Sequence, residues 1–299
     1  MRLPAWLSQH LAALRALLVL TVVTGIAFPL VITLVARLPG LNHRADGSLV
    51  TRADGTVVAS SLIGQSFTDS DGKPLIQYFQ SRPSAGSYDP TASGASNLGP
   101  ESVVDTLPDP ALIAAGREDE NATQSLLTQV CARSTAVGEL DGVDGRRPYC
   151  TSDGVGAVLA VFRRDGLTGP VTRVVSLNQE CPATPFLASY GGVRVECATF
   201  GADYRGAVVT PVRGDAPAHA AVPADAVTAS GSGLDPNISP AYADLQAARV
   251  ARARGVDVTT VRRLIEAHTA GRTLGFLGEP AVNVVELNIA LDRRYPYHG

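Results

Sequence analysis

The sequence predicts an α+β protein with one N-terminal transmembrane helix, followed by an extracytoplasmic α+β domain that carries a β-rich insertion. Three observations predict it: a long uncharged apolar run near the N-terminus, four cysteines confined to the middle of the chain, and strand and helix patterns separated by turn signals. With 299 residues, 45% of them hydrophobic, the chain is long enough for one large domain or two small ones. A net charge of −3 gives no indication of a nucleic-acid-binding surface, which needs a basic balance.

The apolar run extends from Ala16 to Ala36 without a charged residue. As a helix it would measure roughly 32 Å, enough to cross the hydrocarbon core of a membrane. We therefore predict a transmembrane helix over 11–36, preceded by a cytoplasmic tail over 1–10, and we expect Pro29 to kink it, as membrane helices tolerate. Leu34 would stand at the −3 position of any cleavage site before Arg37, where a small residue is needed, so we expect an uncleaved anchor rather than a signal peptide.

The orientation of this helix does not follow from charge, because arginines flank both of its ends. The short N-terminal head and the cysteines further along the chain favour a cytoplasmic N-terminus. We predict a single-pass protein of the cell membrane, with its soluble domain outside the cytoplasm.

Four cysteines in an extracytoplasmic segment indicate two disulfide bonds, for which three pairings are possible. The cysteines are Cys131, Cys150, Cys181 and Cys197. We expect the pairing of sequence neighbours, with each bond stabilising the fold by roughly 3 kcal/mol. A zinc site is the alternative, but there is no C-x-x-C spacing and no histidine between the first and last cysteine, so no metal site is predicted.

The extracytoplasmic part falls into three stretches. In 37–102, the turns Asp46-Gly47 and Asp54-Gly55 flank a predicted strand over 48–52, which we expect to pair as a hairpin with a second strand over 56–60. The Ser-, Gly- and Pro-rich stretch 81–101 is either a functional loop or a flexible linker. The second stretch, 103–220, is the disulfide-bearing insertion. Its predicted strands are 155–162, 171–177 and 193–200.

The third stretch, 221–299, predicts two helices and a strand. Ser239 is a good N-cap for a helix from Pro240 to Arg254, which Gly255 closes. The arginines in the last turns of this helix suit the negative end of its dipole. A second helix is capped by Asp257 and ends at Gly271. Alternating apolar residues over 285–291 then predict a half-buried strand.

No catalytic motif is present: the sequence has no phosphate-binding loop, no H-E-x-x-H and no G-x-S-x-G. Asp235 could act as a general acid or base, but it more readily caps a turn before Pro236. His268 suits a partly buried position on a helix, and Ser93 and Ser96 form either an anion-binding loop or a plain turn. The residues alone therefore predict no catalytic residue.

Seven segments, in order, resemble the C subunit of the Kdp-type potassium-transporting P-type ATPases. They are TGIAFPLV at 24–31, IGQSF at 63–67, YFQSRPSA at 78–85, SGASNLGP at 93–100, VPADAVTASGSGLDP at 222–236, RVARAR at 249–254 and GEPAVNVVELN at 278–288. The candidate partner-contact or motif residues within or beside them are Pro29, Gln65, Arg82, Pro83, Ser96, Asn97, Asp235, Asn283 and Glu286. The sequence departs from the family pattern at Glu101-Ser102, and in 103–220, which stands where a short helical connection is usual.

The resemblance implies an ancillary, non-catalytic subunit of a high-affinity, ATP-driven potassium uptake complex. Its implied partners are a channel-like potassium-binding subunit, an ATP-hydrolysing subunit and a small membrane peptide subunit. The implied roles are to stabilise assembly and to act as a catalytic chaperone that raises the pump's affinity for ATP, so that ATP and K+ are reached only through the complex. Two rival functions are a membrane-anchored hydrolase using Asp235 or Glu286 with a serine, and a solute-binding module.

Overall fold

The computed structural model describes residues 4–51 and 55–298. The chain divides into two compact units, Met1–Leu62 and Ile63–Gly299. The division falls inside the stretch 37–102 that we expected to open the extracytoplasmic domain. Arg52 and Asp54, which belong to the predicted hairpin, lie outside the described residues.

The first unit begins with a 32-residue helix, Ala5–Ala36, which we call the apolar helix. It consists of α1 (Ala5–Val22), a π-helical turn (Val23–Ala27) and α2 (Phe28–Ala36). It starts six residues before the predicted transmembrane segment, so most of the expected tail is helical. None of its most apolar 18-residue window is buried, and its length and hydropathy suit a membrane span.

The π-helical turn ends two residues before Pro29, where we expected a kink. Proline has no N–H to donate to the carbonyl of Gly25, four residues earlier, and its ring crowds that carbonyl. Widening the preceding turn relieves the crowding without breaking the helix. On either side, Thr24 Oγ1 donates to the carbonyl of Leu20 and Thr33 Oγ1 to that of Pro29, both at 2.7 Å.

A short helix and a hairpin complete the first unit. They are α3 (Asn42–Ala45), β1 (Leu49–Thr51) and β2 (Val57–Ser60). The two strands are antiparallel, with Val50 opposite Ala59, as the turn residues predict.

The stretch 103–220 contains two helices as well as strands: α4 (Pro110–Ala114) and α5 (Leu126–Asp141). The 16-residue α5 was not predicted. Ser125 caps it and Gly142 ends it in the left-handed conformation. Its buried face includes Thr128, Ser134 and Gly138, so no apolar stripe marks it in the sequence.

The five strands that follow form one sheet in the order β5-β6-β4-β3-β7, where only β4 and β6 are parallel. They are β3 (Val158–Asp165), β4 (Thr168–Glu180), β5 (Ser189–Tyr190), β6 (Val193–Ala198) and β7 (Val208–Pro211). The three predicted strands are β3, β4 and β6. Residues Val158–Val161 of β3 are all buried because both faces of the sheet are covered, one by a cluster with Leu177 and the other by a cluster with Val195.

Both disulfide bonds lie in this region and join sequence neighbours. Cys131 of α5 is bonded to Cys150, and Cys181, just after β4, to Cys197 of β6.

The last part of the chain holds a small antiparallel sheet, β8-β10-β9, and three helices. After a 3-10 turn (Ala224–Ala226), the elements are β8 (Asn237–Ile238), α6 (Pro240–Arg254), α7 (Val258–Ala267), β9 (Thr269–Ala270), β10 (Ala281–Asn283) and α8 (Val284–Arg294). The bounds and caps of α6 match the prediction. The predicted end of α7 at Gly271 is four residues too late, because Thr269 and Ala270 pair with β10.

The predicted strand over 285–291 is wrong: these residues lie in helix α8. The alternation of Val285, Leu287, Ile289 and Leu291 suggested a period of two. The fully buried positions are instead Val284, Val285, Leu287, Asn288 and Leu291, which is the spacing of one helix face. Asn283 caps the helix by accepting the N–H of Glu286 at 3.0 Å.

The Cys131–Cys150 bond gives a first testable prediction. Changing both residues to serine should lower the free energy of unfolding by about 3 kcal/mol, because the unfolded chain regains the entropy of an open loop. Urea unfolding of the full chain in detergent measures this. An unfolding midpoint that is the same for this variant and the oxidised wild type would contradict it.

Candidate partner-binding site

Segment 76–82 of the second unit overlaps the family-like segment 78–85. It belongs to no helix or strand: 76–78 lie in a turn, and 79–82 have no regular structure. Side chains of two helices bind its backbone instead. Gln246 of α6 accepts the N–H of Gln80 at 2.7 Å and donates to its carbonyl at 3.1 Å. Asn288 of α8 does the same for Phe79, with both bonds at 2.9 Å. Since both amides and the Phe79 side chain are fully buried, these bonds satisfy groups that water does not reach.

Arg249 continues this pattern from the next turn of α6. Its guanidinium donates to the carbonyls of Ile76 and Tyr78 at 2.7 and 2.8 Å, to Gln246 at 2.8 Å and to Asp141 of α5 at 2.7 Å. The side chains of the Arg249–Asp141 ion pair are only 7% and 1% exposed. Burial raises the pKa of Asp141, and the neighbouring guanidinium opposes that rise.

Arg254 anchors the start of the same segment. It donates to the carbonyls of Gln77 and Tyr295 and to Asp292, each at 2.8 Å, and lies over the ring of Tyr78. We interpreted the arginines of α6 as partners of the helix dipole, but Arg249 and Arg254 point into the fold. Only Arg252 is exposed.

Arg82 and Asp235, both predicted site residues, form an ion pair at 3.1 Å. Arg82 also donates to the carbonyls of Thr228 and Ala229. The other oxygen of Asp235 accepts the N–H of Asn237 at 3.0 Å, which is the turn-capping role. Both carboxylate oxygens of Asp235 are therefore engaged in holding two segments together.

Tyr88 lies beside this ion pair and donates its hydroxyl to the carbonyl of Arg82. Its ring covers Gly64, whose N–H donates to the carbonyl of Leu234 at 2.8 Å. A Cβ at Gly64 would collide with that ring and with the carbonyl of Asp235, so the glycine in this motif permits close packing. Burial raises the pKa of Tyr88 to about 12.

The Ser- and Gly-rich stretch 81–101 is irregular but bonded along its length. Ser84 Oγ donates to the carbonyl of Gly233 at 2.6 Å. Ser93 Oγ and the N–H of Gly94 both donate to the carbonyl of Ser232, at 3.0 and 2.9 Å. Gly233 has a φ of 69° and lies against the carbonyl of Gly94, where a side chain would not fit. These bonds fix the loop against the 230–236 turn, unlike a free linker.

The remaining candidate residues are dispersed. Ser96 and Asn97 are exposed, and Ser96 lines a cleft of about 540 Å³ that also contacts Arg133 of α5. The carbonyls of Gln65 and Pro83 accept bonds from Ser81 Oγ and the N–H of Ser230. Pro29 lies in the apolar helix, Asn283 caps α8 and Glu286 is exposed in the first turn of α8.

Two further observations concern possible metal ligands and the histidine singled out in the sequence. In the described ranges, 4–51 and 55–298, no three His, Cys, Asp or Glu side chains come together as metal ligands. His268 is bonded through Nδ1 to the carbonyl of Leu264 at 2.8 Å, the partly buried role expected of it.

An exposed apolar turn that was not predicted from the sequence lies between β9 and β10. Leu274, Phe276 and Leu277 are 79%, 68% and 49% exposed. We call residues 272–279 the apolar tip. The signal was present in the letters R-T-L-G-F-L-G-E, where three large apolar residues stand among glycines and charges.

These features define a class of protein: a chain with one helix suited to span a membrane and an α+β unit whose motif residues mostly hold the fold. Comparison with known proteins agrees. The family model of the K+-transporting ATPase c chain, KdpC, matches residues 10–129 and 205–293.

Three relatives are each described as a potassium-transporting ATPase KdpC subunit. The Streptomyces coelicolor protein is 37% identical over 288 residues, covering 94% of this chain and 90% of its own. The Kineococcus radiotolerans protein is 37% identical, covering 97% and 96%. The Mycobacterium bovis BCG protein is 35% identical, covering 95% and 98%. The chain belongs to the KdpC family, the accessory subunits of the potassium-transporting ATPase, whose ATPase activity lies on another chain.

The comparisons also bear on the insertion. The family model leaves out 130–204, which contains all four cysteines. Strands β3, β4, β5 and β6 of the five-stranded sheet therefore lie outside the family model, and β7 lies within its second matched range.

Arg249 gives a second prediction. Arg249→Met should lower the free energy of unfolding by about 3–5 kcal/mol, because it leaves Asp141 buried without its ion-pair partner and removes the bonds to the carbonyls of Ile76 and Tyr78. Arg252→Met, on the exposed side of the same helix, should change it by less than about 0.5 kcal/mol. Urea unfolding compares the two variants. Equal midpoints would show that segment 76–82 does not depend on Arg249.

Tyr88 gives a third prediction. The pKa of Tyr88 in the folded state exceeds the value of about 10 in the unfolded state. The contribution of Tyr88 to the free energy of unfolding is therefore complete below pH 10 and is lost as the pH rises through 12. Tyr88→Phe should cost about 1 kcal/mol at pH 8 through the lost hydrogen bond. That cost should shrink between pH 10 and 12. A constant difference from wild type across this range would contradict the prediction, and Tyr297→Phe at an exposed position is the control.

Proposed function

We propose that this chain is the ancillary, non-catalytic subunit that stabilises a high-affinity, ATP-driven potassium uptake complex. The observation that carries the proposal is the apolar helix, a 32-residue element that leaves its most apolar window unburied. A helix that is apolar all round is stable in lipid or against other membrane helices, and not in water.

The partners that we propose are a channel-like potassium-binding subunit, an ATP-hydrolysing subunit and a small membrane peptide subunit. The apolar helix packs against the first of these. Its π-helical turn and Pro29 support this arrangement, because irregular turns in membrane helices are usually satisfied by neighbouring helices.

We propose a single pass through the cell membrane, with the N-terminus in the cytoplasm and the second unit outside. The two disulfide bonds support this orientation, since such bonds persist in oxidising compartments. The second unit then lies on the side from which potassium enters, where it covers the outer mouth of the channel-like subunit.

ATP and K+ belong, in this proposal, to the partner subunits. A catalytic-chaperone effect that raises the pump's affinity for ATP would act through assembly, because the second unit lies across the membrane from cytoplasmic ATP. The hydrolase alternative has little support from Asp235, whose two oxygens are bonded to Arg82 and Asn237.

The fourth prediction tests assembly. The chain is tagged at its C-terminus, co-expressed with the other subunits and isolated in mild detergent. Replacing 5–36 by an unrelated single-span helix of equal length should keep the chain in the membrane but lower the recovered partner subunits at least about tenfold, because packing contacts are lost. Recovery of no ATPase subunit with the wild-type chain would overturn the proposed function.

A further inference from the structure

The apolar tip is a rigid projection. Thr273 and Leu277 exchange both of their backbone hydrogen bonds, at 2.8 and 2.9 Å, which closes the turn. At its base Val282 of β10, fully buried, pairs with Thr269 of β9 and with Ile238 of β8. The tip is thus built on the central strand of the small sheet, and binding it costs little conformational entropy.

The backbone of the apolar tip holds the side chain of Leu274 exposed in a conformation that costs free energy. Leu274 has a φ of 54° and Gly275 one of 81°. Glycine adopts that region freely, but leucine rarely does, and the conformation costs of the order of 1 kcal/mol. Leu274, exposed in a strained turn beside the exposed Phe276, therefore does not stabilise the fold of this chain.

The charges of the tip cancel within it. Arg272 donates to the carbonyl of Gly278 at 2.8 Å and pairs with Glu279 at 2.5 Å. A loop that binds a lipid surface uses free basic residues to reach anionic headgroups. A tip whose only cation is paired internally suits a water-excluding protein pocket, where an unpaired charge would be costly.

The position of the tip in the chain adds a further argument. It lies within 205–293, which the family model matches. Leu167, at the β3–β4 turn, is as exposed at 77% but is a single residue in the part that the model leaves out. The apolar tip therefore belongs to the portion shared with chains described as subunits of a potassium-transporting ATPase.

We propose that the apolar tip is a docking site, in which Phe276 and Leu274 insert into an uncharged apolar pocket on another subunit of the same ATPase. This inference rests on the proposed function and names a contact within it. Phe276 is the anchor, since large aromatic side chains that fill a pocket contribute most to such interfaces.

The fifth prediction uses paired variants of the full chain. Leu274→Ser combined with Phe276→Ser should lower the partner subunits recovered per tagged chain at least about tenfold, because two buried anchors are lost. The control, Leu167→Ser, removes an equally exposed leucine elsewhere and should leave recovery unchanged. Both variants should unfold at the wild-type temperature, since none of the three side chains is buried.

The outcomes separate the two proposals. If the wild-type chain recovers no partner, the proposed function fails and the docking site fails with it. If the wild-type chain recovers partners and the tip variant recovers as many, only the docking site is overturned.

A second measurement identifies the occupant. A photoreactive benzoyl-phenylalanine in place of Phe276, irradiated in intact membranes, should give an adduct with another subunit of the ATPase, found by mass spectrometry. An adduct with lipid, an adduct with a second copy of this chain, or no adduct would each overturn the proposal.

Discussion

The second unit depends on how segment 76–82, which belongs to no helix or strand, is held in place. An extended chain buried in a core normally pairs with a neighbouring strand, because its amides and carbonyls must be bonded. Here Gln246 and Asn288 each supply a donor and an acceptor to one residue, as a strand would. Arg249 and Arg254 bind the carbonyls of Ile76, Gln77 and Tyr78 in the turn before them. Two helices thus replace a sheet, which explains why α6 and α8 carry polar residues at buried positions.

This arrangement also connects the shared part of the family to the added sheet. Arg249 binds the carbonyls of segment 76–82 and, through Asp141, the C-terminal end of α5. From α5, Arg133 donates to the carbonyl of Val227, and Cys131 is bonded to Cys150 before the five-stranded sheet begins. The added sheet is therefore joined to the part of the chain that the family model matches through the contacts of α5, and not only through its two chain connections.

The sequence allowed prediction where a local signal decides the structure. Ser239, Pro240 and Gly255 fix the ends of α6 by capping, and the hairpin of the first unit follows from its turn residues. Prediction failed where tertiary packing decides: α8 has a strand-like alternation, and the buried face of α5 is small and polar. Among the candidate residues, Arg82 and Asp235 were identified, but their pairing was not, because 153 residues separate them.

The motif residues and the exposed apolar surfaces have different consequences for a subunit. Arg82, Gly64 and Asp235 are bonded or packed within the chain, so their chemistry is already satisfied before any partner arrives. Association must instead gain free energy from surface that water still covers, and large apolar side chains provide most of it. In this chain Leu274 and Phe276 of the apolar tip form such a surface. A helix in lipid, by contrast, associates with other helices through close packing. A family motif thus marks what shapes the subunit, while an exposed apolar side chain held on a rigid turn marks where the subunit can bind.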